Sequence, residues 1–318
     1  NRSLLFVVIC ISLFFTFTTP LHAQTAGLSL IADPEFPLPH TETTVTIDDY
    51  SLDTVGSNIT WYVDGVEQPN ARNERSLKLI SGKLGEKSVV KVALSRANTS
   101  VLSTTLTIVP TQIDIILEAN TYVPPFYAGR ALPTRDSMMR ATAVVNDGTG
   151  TADNAYVYQW SIGPTVLFGG KTKGKRTVDL EMPHYDDVLL FVEVFSAEGE
   201  MLGRSAITLL ATEPELHFYE HSPLRGLRER EILSPYKLIG EETTIYGEPY
   251  FVDSRIKEAD AIFTWKINYE NAAHDADTPN ALTLRHVGGG GESLVSFSVE
   301  TKKRMPQFVE SALRLIFE

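Results

Sequence analysis

Three short stretches decide the fold: Ile59-Thr60-Trp61-Tyr62-Val63, Tyr158-Gln159-Trp160-Ser161-Ile162 and Phe263-Thr264-Trp265-Lys266-Ile267. They hold the only three Trp residues of a 318-residue chain, 99 and 105 residues apart. In each, alternate positions are apolar and the residues between them are polar or small, the period of a half-buried strand. A spacing near one hundred residues is that of one β-sandwich per Trp.

Three further registers repeat around each Trp. A strand pattern follows 16 to 18 residues later: Leu77-Lys78-Leu79, Val178-Asp179-Leu180 and Leu282-Thr283-Leu284. The strongest strands centre 31 or 32 residues after each Trp, at Val90-Lys91-Val92-Ala93-Leu94, Leu190-Phe191-Val192-Glu193-Val194 and Val295-Ser296-Phe297-Ser298-Val299. A last strand comes 14 to 16 residues on, at Leu106-Thr107-Ile108, Ile207-Thr208-Leu209 and Leu313-Arg314-Leu315. Turn residues such as Asp64-Gly65, Gly163-Pro164 and Gly199 separate the runs. Gly288 to Gly291 reads as a flexible hairpin before the third domain's strongest strand. The prediction is an all-β chain of three tandem immunoglobulin-like sandwiches after an N-terminal signal segment. The domains run 27–110, 111–212 and 213–318. The joints are two to four residues long, so adjacent sandwiches are expected to touch and form a semi-rigid rod.

Residues 1–23 read as the signal segment, with Arg2 before an apolar run from Leu4 to Phe17 and a short polar region ending at Ala23. An uncleaved anchor is the alternative, although about 14 apolar residues fall short of the roughly 20 that a bilayer needs. Cys10, the only cysteine, sits inside this run. The exported remainder would then hold no disulfide and stand on packing alone, a pattern that fits bacterial or archaeal export. Removing 1–23 takes away Arg2 and no acid, which leaves 27 basic and 40 acidic residues, a formal charge of −13. Such a surface repels phosphate backbones and argues against nucleic-acid partners. A membrane partner enters only if the N-terminal segment stays uncleaved or a C-terminal anchor follows Glu318. Two glycosylation sequons, Asn58-Ile59-Thr60 and Asn98-Thr99-Ser100, are short enough to arise by chance.

Trp61-Tyr62-Val63-Asp64-Gly65 resembles the Trp strand and turn of the PKD-type immunoglobulin-like modules of bacterial surfaces. Gly85-Glu86-Lys87-Ser88-Val89-Val90-Lys91-Val92 resembles their later strand. The fuller Trp-Asp-Phe-Gly-Asp-Gly motif is absent from all three copies, which makes these divergent members. Pro124-Pro125-Phe126-Tyr127-Ala128-Gly129-Arg130-Ala131-Leu132 resembles a segment in exported proteins of the candidate phyla of ultra-small bacteria. The resemblance implies an extracellular structural or binding role without catalysis.

His217-Phe218-Tyr219-Glu220-His221 matches the H-x-x-E-H zinc-protease signature letter for letter. That chemistry needs both His on one helical face, about 6 Å apart. Here the segment opens a β-domain, where residues four apart are separated by roughly 13 Å. Asp147-Gly148-Thr149-Gly150-Thr151-Ala152-Asp153, with Asp48-Asp49 and Tyr185-Asp186-Asp187, is the calcium candidate, since oxygen ligands on glycine turns suit that ion; Asp and Gly are equally the ordinary residues of loops. Lys171-Thr172-Lys173-Gly174-Lys175-Arg176 is either an anionic-glycan grip or a solvated hairpin guarding a sheet edge. The second and third domains carry Pro-, Arg- and Tyr-rich segments, 120–140 and 222–240. They supply the candidate interaction residues Tyr122, Phe126, Tyr127 and Arg130, and Arg225 and Arg228. Covering loops for a sandwich end is the equal alternative. No G-x-S-x-G elbow, P-loop or dinucleotide fingerprint occurs. The sequence therefore predicts a non-enzymatic surface spacer or adhesion and assembly module, with a protein or glycan partner at the cell surface. The alternative is a carbohydrate-binding or enzyme-accessory chain with an exposed aromatic face.

Overall fold

The structure is a computed structural model that describes residues 27–49, 56–96, 102–185, 188–222, 224–238, 241–255, 260–302 and 306–317. The signal segment 1–23 with Cys10, the sequon at Asn98, and Asp186 and Asp187 lie outside these residues. The described chain is built of strands, with one 3₁₀ turn at Pro69–Ala71.

The first sandwich contains β1 (Leu28–Asp33), β2 (Glu42–Asp49), β3 (Asn58–Val63), β4 (Val66–Glu67), β5 (Ser76–Ile80), β6 (Ser88–Ser95) and β7 (Leu102–Ile108). They form two sheets, β1-β2-β5 and β4-β3-β6-β7. The second contains β8 (Gln112–Ala119), β9 (Met138–Asn146), β10 (Val157–Ile162), β11 (Thr165–Val166), β12 (Thr172–Lys173), β13 (Thr177–Glu181), β14 (Val188–Phe195) and β15 (Met201–Leu209). Its sheets are β8-β9-β13 and β11-β10-β14-β15, with β12 also pairing β10. The third contains β16 (Glu215–Ser222), β17 (Gly226–Glu231), β18 (Tyr236–Lys237), β19 (Glu242–Tyr250), β20 (Ala261–Ile267), β21 (Glu270–Ala272), β22 (Ala281–Arg285), β23 (Gly291–Thr301) and β24 (Phe308–Phe317). Its sheets are β17-β16-β19-β22 and β18-β24-β23-β20-β21. The common pattern is a three-strand sheet, extended by β17 in the third sandwich, facing a sheet in which the strand next to one edge carries the Trp, the immunoglobulin-like arrangement. The strands of the first sandwich fall in one compact unit. Residues 36–41, 81–87 and everything from Val109 onward fall in a second unit, which holds the second and third sandwiches together.

Each Trp is at most 1% exposed and lies in a separate core, with Leu77 and Val92, with Val178 and Val192, and with Leu282 and Phe297 respectively. Registers match: Trp61 faces Val92, Trp160 faces Val192 and Trp265 faces Phe297 across the sheet. The indole N–H donates to the Glu74 carbonyl at 3.0 Å, to the Lys175 carbonyl at 2.9 Å and to the Pro279 carbonyl at 3.1 Å. A buried indole N–H without a partner would be costly, and these carbonyls each precede the facing sheet's last strand. The Trp thus ties the two sheets of its sandwich together.

The turn after each Trp strand also repeats. Asp64 and Gly65 have φ 50° and 82°, and Asn268 and Tyr269 have φ 49° and 72°. These are the left-handed positions of a two-residue hairpin, which Asp and Asn tolerate best. Asp64 Oδ1 accepts from Val89 N–H at 2.7 Å and Asn268 Oδ1 accepts from Leu294 N–H at 2.9 Å. In the second sandwich Gly163 takes the place with φ 51° and only the backbone bond to Leu189 remains, at 2.9 Å.

Two expectations need correction. Gly288 to Gly291 does not close a hairpin: it joins β22 in one sheet to β23 in the other, with Gly288 and Gly289 at φ 73° and 71°. The 222–240 segment, for which a covering loop is the alternative to an interaction segment, contains strands: β17 pairs β16 and β18 runs parallel to β24. Its Gly-Leu-Arg-Glu-Arg-Glu core is almost wholly solvent-facing, so it lacks the apolar alternation that marks a strand.

Trp160→Ala is expected to destabilise the second sandwich by about 3–5 kcal/mol, since a large cavity is left with no disulfide to compensate. Trp160→Phe keeps most of the volume but loses the bond to the Lys175 carbonyl, which should cost about 1–3 kcal/mol. Chemical denaturation measures both. An Ala variant that melts within a degree or two of the parent protein would contradict the role assigned to the Trp.

Candidate functional site

The aromatic residues singled out from the sequence gather at one place. The connection from β8 to β9 lies over the outer face of β16 and β19. Alternation on β16 points Phe218 inward, 6.1 Å from Trp265, and Tyr219 outward. Phe126 meets Tyr219 edge-on at 5.0 Å, and Tyr127 meets Tyr250 at 5.3 Å and Phe251 at 6.0 Å. The Tyr219 and Tyr250 hydroxyls share a hydrogen bond of 2.6 Å. Burial, and then that bond, push the Tyr219 hydroxyl well above the ordinary tyrosine range. Phe251 is buried at φ 62°. A bulky residue in the left-handed region is strained and persists only where its surroundings hold it. Here they do: Phe251 N–H donates to the Tyr122 carbonyl at 2.7 Å, Tyr122 N–H to the Val252 carbonyl at 2.6 Å, and the Thr134 hydroxyl to the Phe251 carbonyl at 2.9 Å.

A polar seam continues from this cluster. Asp253, 2% exposed, receives both Arg255 Nε (2.9 Å) and the Arg255 backbone N–H (2.9 Å). The same guanidinium reaches the Asp136 carbonyl at 3.0 Å and Glu181 Oε1 at 3.1 Å, both in the second sandwich. Gln307 donates to the Thr134 hydroxyl at 3.0 Å and the Arg135 carbonyl at 2.9 Å, while its Oε1 accepts from Asp253 N–H at 2.9 Å. Removing the Arg255 side chain would leave the buried Asp253 carboxylate without its cation, although the exposure of Arg255 to water lowers the cost below that of a fully buried pair. The second and third sandwiches are therefore joined by packed aromatics and by satisfied polar groups, not by the short linker alone.

Phe126 and Tyr127 are thus packed within the chain, whereas Tyr122, anchored by its backbone bonds and its hydroxyl bond to Glu248, stays 39% exposed. The arginines are not drawn in. Arg130 and Arg225 are exposed, and Arg228 pairs with Glu220 at 2.9 Å, which also accepts from Tyr236 at 2.8 Å. The sequence reading missed Tyr219, Tyr250, Phe251, Glu248, Asp253 and Arg255. One signal was available: Tyr219, Tyr246 and Tyr250 occupy the outward positions of β16 and β19, where large aromatics announce a covered face.

The His-x-x-Glu-His segment lies on β16. His217 sits between Glu231 at 2.7 Å and Glu215 at 3.0 Å, edge-on to Tyr250 at 4.9 Å, whereas His221 stacks at an angle on Tyr246 at 5.4 Å. No group of three or more His, Cys, Asp or Glu residues arranged for a metal occurs among the described residues. In the Asp147–Asp153 loop, Asp147 accepts from Thr149 N–H (2.9 Å), the Thr149 hydroxyl (2.7 Å) and the Tyr156 hydroxyl (2.8 Å), while Asp153 pairs with Arg176. Burial disfavours the charged Asp147, but these bonds outweigh it and hold the carboxyl below its usual range. In the basic run, Lys171 lies 3.6 Å over the Phe195 ring and Lys175 lies 4.9 Å over Phe168, and Thr172–Lys173 forms the edge strand β12. No helix among the described residues is long and apolar enough to cross a membrane.

No family model matches the chain, and no curated protein matches it. Among solved structures the chain is similar to three N-terminal domains of the bacteriophage RB49 Highly Immunogenic Outer Capsid protein, at 12% identity over 92% of this chain and 98% of that one, with a TM-score of 0.25. It is similar to fibronectin(III)-like modules of Clostridium thermocellum CbhA at 8% identity over 58% and 94%, with a TM-score of 0.26. It is also similar to Bacteroides ovatus SGBP-B in complex with a mixed-linkage heptasaccharide, at 10% identity over 88% and 64%, with a TM-score of 0.23. With identities and scores this low, the fold assignment rests on the sheets and cores themselves.

His217 gives the cluster a pH dependence with a definite sign. Burial works against its charge, but the bonds to Glu231 and Glu215 outweigh it and raise its pKa above 6.5. The stabilisation is then fully present below about pH 6.5 and is lost as pH rises through the folded-state value. His217→Gln should narrow that difference: parent and variant should differ most at pH 6 and converge on the alkaline side. A gap between their denaturation midpoints that widens as pH rises would contradict this.

Proposed function

We propose that the chain is an exported, non-catalytic protein of the cell surface or extracellular space that acts as a spacer and as an adhesion or assembly module. The single observation that carries this reading is the use of the aromatic connection 120–137 to bind the second sandwich to the third. Aromatics that face solvent would serve a partner. Here they serve a joint, and a joint with a buried, strained and fully bonded Phe251 holds a fixed geometry. The resemblance of the Trp strands and their turns to PKD-type surface modules supports the same reading, as does the acidic charge, which suits an extracellular protein better than one that handles nucleic acid. Partner contacts then fall to what remains exposed, including Arg130, Arg225 and the rim around Lys173. The carbohydrate-binding alternative asks for several coplanar aromatics on one exposed face, and of the candidate aromatics Phe126 and Tyr127 are packed within the chain, which leaves Tyr122 exposed.

Immobilised protein exposed to envelope fractions of its own source, with and without calcium, tests this reading. Capture of a defined envelope or pilus protein, weakened when Arg130 and Arg225 become Ala, is the expected result. Capture of polysaccharide alone would replace the adhesion reading with the carbohydrate-binding one. Calcium-dependent capture would return the Asp147 loop to the candidate sites.

A further inference from the structure

Near the end of β19, one acidic group is left without a cation. Glu248 is 7% exposed, and its two oxygens accept from the Tyr122 hydroxyl at 3.2 Å and the Asn280 side-chain amide at 3.0 Å. Among the described residues it forms no ion pair, and its charged neighbours are already committed. Asp253 is paired with Arg255, and His217, opposite Glu248 in the β16 register, is held by Glu215 and Glu231. Burial raises the Glu248 carboxyl above its usual range, and the two hydrogen bonds offset only part of that. Buried carboxylates are ordinarily paired with a positive group, since the desolvation of an unpaired anion is expensive.

Beside this carboxyl the structure has a cleft of about 180 Å³. Apolar groups dominate its walls, among them Val252, Phe263 and Val299, and its polar lining includes Asp253, Ser254 and Thr301 besides Glu248 and Asn280. A short, mostly apolar channel whose two buried acids are Glu248, without an ion pair, and Asp253, already paired with Arg255, is complementary to a chain of a few methylenes that ends in a compact cation. The volume is below that of ordinary ligand pockets of roughly 300–1,000 Å³, which excludes an oligosaccharide and favours a slender group. We propose that this cleft is a binding site for a primary alkylammonium group, with the ammonium seated on Glu248 and its methylenes along Phe263 and Val299. A free amine and a lysine side chain of another protein share that chemistry. The proposal stands apart from the spacer reading, since neither ligand is needed for the joint.

Calorimetric or NMR titration of the full protein at pH 7 and fixed ionic strength tests it, with n-butylammonium, n-butanol and an N-acetylated, C-amidated Gly-Lys-Gly peptide as probes. Saturable binding of n-butylammonium is expected, weakened at least about tenfold by Glu248→Gln, the scale of a hydrogen bond to a charged group. The parent protein supplies a second measure that does not depend on the variant folding: n-butanol has the same shape without the charge and should also bind at least about tenfold more weakly. Binding of both butylammonium and the peptide would identify a lysine side chain as ligand, and binding of butylammonium alone would identify a free amine. No saturable binding of either amine up to about 10 mM would overturn the proposal, a limit that corresponds to less than about 2.7 kcal/mol of binding. So would equal affinity for n-butanol.

Discussion

The rest of the structure depends on a buried indole that is hydrogen-bonded across a sandwich. Each Trp fills the centre of one core and sends its N–H to a carbonyl just ahead of the last strand in the facing sheet. Packing alone is non-directional, and a core of Val and Leu can slip by a residue pair at modest cost. The indole bond adds a direction. It fixes which segment of the opposite sheet lies over the Trp strand, and it does so at nearly the same sequence offset in all three copies. In a chain whose only cysteine lies at position 10, this contact occupies the place that an inter-sheet disulfide holds in other immunoglobulin-like domains.

From that base the second and third sandwiches gain a further layer. The connection from β8 to β9 is longer than a turn requires, and its surplus is an aromatic and polar patch that docks on β16 and β19. Phe251 sits there in a backbone region that bulky residues avoid, held by two hydrogen bonds of its own to the connection and a third at the neighbouring Val252. The Asp253–Arg255 pair and Gln307 satisfy the groups that this docking buries. The aromatic packing is non-directional, whereas the directional bonds of the polar seam favour one relative arrangement of the two sandwiches.

Strands with clean alternation and a Trp were legible in the sequence, because burial on one face writes itself into every second residue. The strands β17 and β18 were not, since edge strands that face water carry Arg, Glu and Tyr without a period. The candidate residues Tyr122, Phe126 and Tyr127 were found for a sound reason, as aromatics in a long connection. Their target was invisible, because the partners Tyr219 and Tyr250 lie about one hundred residues away and sequence distance cannot pair them. Glu248 and Asp253 look like ordinary surface acids until the chain that covers them is in position. Their burial is a property of the joint, not of their own strands.

Electron-electron distance measurement between two spin labels tests that joint most directly. The chain beyond residue 23 has no native cysteine, so Glu198→Cys on the second sandwich and Asn271→Cys on the third label the protein cleanly. A single narrow distance distribution, unchanged between low and physiological salt, is the result this account predicts. A broad or multimodal distribution would mean that the aromatic cluster and its polar seam do not hold the two sandwiches together.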